Sequence, residues 1–218
     1  AYFVPIAEEC GLIDALGDFT FRRAFADSLE WPQLKLAVNV SAAQLRRGDF
    51  ADRVARLARG AGVNPRHIEF EITEGILLED SERTRQALAR LRDLGFTLAL
   101  DDFGTGYSSL AYLRRYPIDK IKIDRSFITN LGVEREAEAV VAAIASLARA
   151  LDMEVIAEGV ETELQRLAVR RAGCTRIQGF LFSAPLPAHE VADFADHIQD
   201  GGHVASHKRD VAPAVRRR

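Results

Sequence analysis

Hydrophobic positions along the chain alternate between two rhythms. Short β-branched runs, at residues 36–40, 67–72, 96–100, 118–123, 154–157 and 177–182, read as strands. Amphipathic stretches at helical spacing separate them, at residues 44–59, 82–93, 108–115, 136–151 and 163–172, and a further helix at 14–29 precedes the first strand. Gly95, Gly132 and Gly173 punctuate helix ends, and Asp152 closes the Ala-rich helix ahead of the fifth strand.

Strict β/α alternation implies parallel strands joined by helical crossovers. Two α/β architectures meet that condition, an open doubly wound sheet and a (β/α) barrel of the TIM type. The placement of polar residues favours the barrel. Charged or amide residues stand at the ends of many strands, as a barrel mouth requires, not at one crevice. Six strands are counted where a closed barrel needs eight, so the first two are expected to be missing.

Strand parity gives the polar residues a common direction. Asn39 lies between Val38 and Val40, Glu71 between Phe70 and Ile72, and Lys122 between Ile121 and Ile123; Asp101 follows Leu100 and Glu158 follows Ala157. All five are expected to face the barrel axis, with Glu69 beneath Glu71. Several carboxylates converging in low dielectric repel one another, and a bound dication relieves that repulsion. Hard oxygen donors select Mg²⁺ or Mn²⁺. The adjacent pair Asp101 and Asp102 can flank two ions, the arrangement used in two-metal phosphodiester hydrolysis. Scattered strand-end acids that merely cap helices or pair with arginines would be the plainer explanation; five convergent positions argue against it. Beyond Asp102 the run Phe103-Gly104-Thr105-Gly106-Tyr107-Ser108-Ser109-Leu110 reads as a loop able to close over a site, and no GKS or GKT phosphate loop is present.

Composition narrows the setting. A 218-residue chain that is 48% hydrophobic can bury a full core, and its net charge of −3 does not suit a nucleic-acid polymer as partner. Cys10 and Cys174 have no metal-ligand spacing and read as reduced core thiols, pointing to a cytoplasmic location. No apolar run is long enough to span a bilayer. Residues 1–200 are expected to form the barrel domain and 201–218 a disordered basic tail. Starting at Ala1 without Met, the chain is expected to be part of a longer protein.

The motifs resemble those of the EAL-domain family of bacterial cyclic-di-GMP phosphodiesterases. The matching stretches are Phe3-Val4-Pro5-Ile6-Ala7-Glu8-Glu9, Asn39-Val40-Ser41, Glu71-Ile72-Thr73-Glu74 and the Asp101–Leu110 run. They continue through Lys122-Ile123-Asp124, Ala157-Glu158-Gly159-Val160-Glu161 and Gln178-Gly179-Phe180. The resemblance implies that Asn39, Glu71 and Asp101 hold a first metal and that Asp101 and Asp102 hold a second. It implies that Lys122 holds or polarises the attacking water and that Glu158 acts on that water or near the second metal. Glu74 would anchor the loop of Gly104, Thr105 and Gly106, while Asp124, Glu161 and Gln178 would complete the surroundings. It further implies hydrolysis of cyclic-di-GMP to linear pGpG, a homodimer through the glycine-loop region, and companion signalling domains in the parent protein. The family's Glu-Ala-Leu motif, and the Arg after it, do not occur in these 218 residues. Truncation, strands supplied by a partner subunit, and natural degeneration each account for that. A non-catalytic cyclic-di-GMP receptor or scaffold is the competing function; another metal-dependent barrel enzyme, such as an enolase-type lyase, is a more distant one.

Overall fold

The computed structural model describes residues 3–78, 80–106 and 113–199. Six parallel strands form a single sheet in sequential order: β1 (Leu36–Asn39), β2 (Ile68–Thr73), β3 (Thr97–Phe103), β4 (Lys120–Ile123), β5 (Glu154–Ala157) and β6 (Arg176–Ile177). Among the described residues ten α-helices accompany them: α1 (Phe3–Glu9), α2 (Ile13–Glu30), α3 (Ala42–Leu45), α4 (Phe50–Ala61), α5 (Glu74–Leu78), α6 (Glu82–Asp93), α7 (Arg125–Thr129), α8 (Arg135–Ala150), α9 (Glu163–Ala172) and α10 (Ala188–Gln199). Sequential parallel order, with helices in the connections other than the partly described one between β3 and β4, makes a half-barrel of the TIM type, as the strand-end polar residues and the six-strand count predict.

One face of each strand supplies the core. Ile68, Phe70 and Ile72 on β2, Leu98 and Leu100 on β3, and Ile121 and Ile123 on β4 are buried. Full burial of such a side chain stabilises by about 1.5–3 kcal/mol, so this layer fixes the register of the sheet. An aromatic cluster joins α2 and α4 to the sheet, with Phe21 stacked on Phe25 and edge-on to both Phe50 and Phe70. The opposite face carries Glu69, Glu71, Lys120 and Lys122, all buried.

Several boundaries differ from the sequence expectation. The expected helix 44–59 is interrupted around Gly48: a capping box of Ser41 and Gln44 opens α3, and α4 begins again at Phe50. Strand β3 runs on through Asp101 and Asp102 to Phe103. Strand β6 covers only Arg176 and Ile177, because the backbone turns at Gly179, with Phe182 N donating to the Gly179 carbonyl. Cys174 is buried but Cys10 is exposed on the turn after α1, where too little packs over it to make it a core thiol. Residues 108–112 of the expected helix 108–115 and the basic tail 201–218 lie outside the described residues. No described helix is long and apolar enough to cross a membrane.

Candidate metal-binding active site

Strand ends and the turns after them place the site residues. A capping box of Thr162 and Gln165 starts α9 four residues beyond Glu158, and Asp124 caps α7 by accepting from Ser126 N at 2.9 Å. Such short caps convert a strand directly into a helix and leave the last strand residues facing the mouth.

Lys122 is the hub. Its Nζ lies 2.6 Å from Glu71 Oε1, 2.8 Å from Glu158 Oε1 and 2.9 Å from Asp101 Oδ1. One ammonium on β4 therefore ties together β2, β3 and the end of β5. Burial disfavours its charge, but the bonds to Glu158, Glu71 and Asp101 prevail and hold its pKa above the usual lysine value. Burial pushes the carboxyls of Glu71 and Glu158 up, against the opposing pull of Lys122. Asp102 is also raised, by burial and then by the neighbouring charges of Asp101 and Asp124.

Asp101 and Asp102 occupy consecutive strand positions, which ordinarily point to opposite faces. The register between β3 and β4 shifts between Leu100 and Phe103, and Asp102 adopts φ +54°. This bulge re-aims a side chain, as bulges beside active sites do. Carboxylate oxygens of Asp101, Asp102 and Glu158 consequently lie within 4.8 Å of one another. These hard donors, together with more acids than Lys122 alone can neutralise, fit a hard divalent cation.

The remaining predicted residues are spread around this centre. Asn39 pairs in register with Glu71 on the neighbouring strand and is exposed, on the edge strand β1. Glu74 accepts from Gly104 N at 3.2 Å, so α5 and the glycine loop are directly joined. Thr105 donates its hydroxyl to the Asp102 carbonyl at 2.9 Å, and Gly106 packs beside Glu74. Glu161 lies 3.9 Å from Arg125, at the rim. Gln178 is exposed, and its backbone bridges the Ala157 carbonyl and Val160 N at 2.8 and 3.1 Å. A cavity of about 1100 Å³ opens beside β1, lined by Trp31, Leu36, Val38 and Asn39 with Leu186 opposite.

Sequence reasoning left Glu69 without a role and passed over Lys120 and Glu154. Lys120 Nζ lies 2.6 Å from Glu69 and 3.3 Å from Glu154, and Arg176 reaches Glu154 at 3.2 Å. The signal was available in the parity of β4, since Lys120 stands two residues before Lys122 and faces the same way.

With this geometry in place, the comparisons with known proteins fall into one pattern. The EAL domain model matches residues 1–185, and the chain belongs to that family. It is similar to the cyclic di-GMP phosphodiesterase NbdA of Pseudomonas aeruginosa, with 40% identity over 219 residues, covering 98% of this chain and 27% of that protein. An uncharacterized signaling protein of Caulobacter vibrioides shares 46% identity over 186 residues, covering 85% of this chain and 23% of that one. The chain thus spans about a quarter of the length of these relatives. Among solved structures, the PaMucR phosphodiesterase in complex with c-di-GMP superposes with a TM-score of 0.82 at 37% identity, covering 87% of this chain and 79% of that one. Klebsiella pneumoniae BlrP1 with manganese and cy-diGMP superposes at 0.70 with 34% identity, over 75% of this chain and 43% of that one.

Proposed function

We propose that this chain carries the catalytic machinery of a phosphodiesterase that opens cyclic-di-GMP to linear pGpG. The observation that carries the reading is the convergence of Asp101, Asp102 and Glu158 around Lys122 at the strand ends. In this reading Asn39, Glu71, Asp101 and Asp102 hold two divalent ions, Mg²⁺ or Mn²⁺. Bound there, the ions supply Lewis-acid polarisation of the phosphoryl oxygens and lower the pKa of water.

The chain's own residues do the rest. Lys122, whose three N–H donors here meet Glu71, Asp101 and Glu158, would turn one of them to the attacking water and orient it in line with phosphorus. Glu158, whose carboxyl burial raises above the ordinary glutamate value, accepts the proton from that water as the new P–O bond forms. The opposite P–O bond breaks, the ring opens, and the leaving ribose oxygen takes up a proton from solvent. The glycine loop, tied to Glu74 through Gly104, closes the mouth; Asp124, Glu161 and Gln178 shape its rim. The setting is cytoplasmic, within a larger protein whose other domains sense or transmit a signal, and pairing through the glycine-loop region makes a homodimer.

A second reading has its own support. Asn39 lies on an edge strand, and Glu-Ala-Leu occurs nowhere in the 218 residues. These 218 residues taken alone supply one fewer carboxylate donor, and in that state would bind the nucleotide without turning it over. Incubation of the chain with cyclic-di-GMP and Mg²⁺ or Mn²⁺, with pGpG followed by chromatography, separates the two. Release of pGpG supports the enzyme; saturable binding without product overturns it in favour of a receptor.

A further inference from the structure

Two lysines on β4 face the barrel axis two residues apart, and each reaches across β3 to a glutamate on β2. Lys122 meets Glu71 at 2.6 Å, and Lys120 meets Glu69 at 2.6 Å. The strand between them allows this because it presents Ala99 there, paired in register with Glu71 on one side and Lys120 on the other. Each lysine also reaches toward β5, Lys122 to Glu158 and Lys120 to Glu154. The interior is therefore built as two stacked ionic layers of the same pattern, roughly 7 Å apart along the strands.

The layers differ in access. In the upper one, side-chain exposure rises from 4% at Lys122 to 10% at Glu71, 14% at Asp101 and 17% at Glu158, toward the mouth. In the lower one, the Lys120 and Glu69 side chains are only 6% and 5% exposed, and it is Glu154, at the start of β5, that opens to solvent at 44%. Glu71 and Asp101 of the upper layer are assigned above to dications, so an ion competes with Lys122 for their oxygens. No residue of the lower layer is assigned to an ion. Metal ligands need placement to within about 0.5 Å, and a buried ion pair is better at fixing register than at adding stability.

We infer that Lys120 and Glu69 are positioning residues for the metal site: a permanent tie between β2 and β4 that keeps Glu71 and Lys122 in register while the upper layer rearranges around the ions. The inference rests on the phosphodiesterase reading above and adds to it a role for the layer beneath the site.

The test is the double substitution Glu69→Met with Lys120→Met in the full chain. Replacing both partners by apolar groups leaves no unpaired buried charge, so the fold, followed by circular dichroism, is expected to persist. Mn²⁺ affinity, read from the electron paramagnetic resonance signal of the free ion, is expected to weaken roughly tenfold, the lower end of what loss of support behind a metal ligand does. Retained fold with wild-type Mn²⁺ affinity overturns the inference. Should the double variant fail to fold, Glu69→Gln keeps the volume and an acceptor for Lys120 while removing the charge. A several-fold weaker affinity is then expected, and an unchanged one is again fatal. A wild-type chain that takes up no Mn²⁺ at all overturns the phosphodiesterase reading, and this inference with it.

Discussion

Asp101 and Asp102, consecutive on β3, cluster with Glu158, their carboxylate oxygens within 4.8 Å of it and of each other. Regular pleating would separate them. The bulge after Leu100 and the left-handed backbone of Asp102 bring them together. Asp and Asn tolerate that conformation better than other non-glycine residues, for which it costs about 1–2 kcal/mol. Asp102→Asn is therefore expected to melt within about 0.5 kcal/mol of wild type yet to bind Mn²⁺ at least tenfold more weakly. Asp102→Ala should lose the same affinity and about 1 kcal/mol of stability as well. Thermal melts paired with Mn²⁺ titration distinguish the two; equal melting of both variants would remove the backbone argument.

Lys122 balances three acids at once, so its loss should be felt most where no metal is bound. Lys122→Met leaves Glu71, Asp101 and Glu158 without their shared cation, and breaking one side of a buried ionic cluster costs about 3–5 kcal/mol. A dication can take over part of that neutralisation. The rise in melting temperature on adding Mn²⁺ is expected to be larger for Lys122→Met than for wild type, while product formation falls by at least a hundredfold, on the order of what a positioned catalytic group contributes. A smaller metal-induced rise in the variant would show that the ammonium does not stand in for a metal.

The pH dependence follows from the direction of two shifts. Glu71 and Glu158 have carboxyls raised above 4.5, chiefly by burial. A raised acid holds its proton more tightly in the folded chain. In the metal-free protein these two groups therefore favour folding below 4.5, and that contribution is lost as pH rises through their folded values. Metal binding must displace the same protons, so Mn²⁺ affinity should fall as pH drops toward and through the raised values, above 4.5. Calorimetric titrations across the weakly acidic range should show proton release on binding that grows as pH falls. An affinity independent of pH there would contradict the assignment of Glu71 as a ligand and of Glu158 as a base beside the ions.

The two loop glycines, equivalent in the motif, are not equivalent in space. Gly104 sits at φ +97°, and a Cβ there would lie 2.7 Å from the Phe127 ring. Gly106 has no such φ, and its nearest neighbour would be Glu74 at 3.5 Å, an ordinary contact. Gly104→Ala should cost at least about 1–2 kcal/mol and disturb the hydrogen bond to Glu74. Gly106→Ala should change stability by about 0.5 kcal/mol or less. Parallel denaturant titrations of both variants check this, and equal costs would refute it.

The positions of Glu71, Lys122 and Glu158 were legible in the order of residues because strand parity is local: apolar neighbours on both sides of Glu71 and Lys122 dictate which way each polar side chain points. The same rule placed Glu69 inward beneath Glu71. It failed at Asp102, where parity alone would turn the side chain away, since a bulge depends on how β3 pairs with β4. It also gave no warning that helix 44–59 would break around Gly48, or that β6 would shorten to two residues at the Gly179 turn.

The 218 residues by themselves determined the α/β alternation, the six-strand count, the acids at the strand ends and the family they resemble, because periodicity and motif order are properties of neighbouring residues. Tertiary structure decided which acids share a cation. Lys122 meets Glu71, Asp101 and Glu158, and Lys120 meets Glu69 and Glu154, only because parallel pairing sets β2 to β5 side by side. Coulombic and hydrogen-bonding partners depend on distances of a few ångströms across strands far apart in sequence, and only the packed sheet sets those distances.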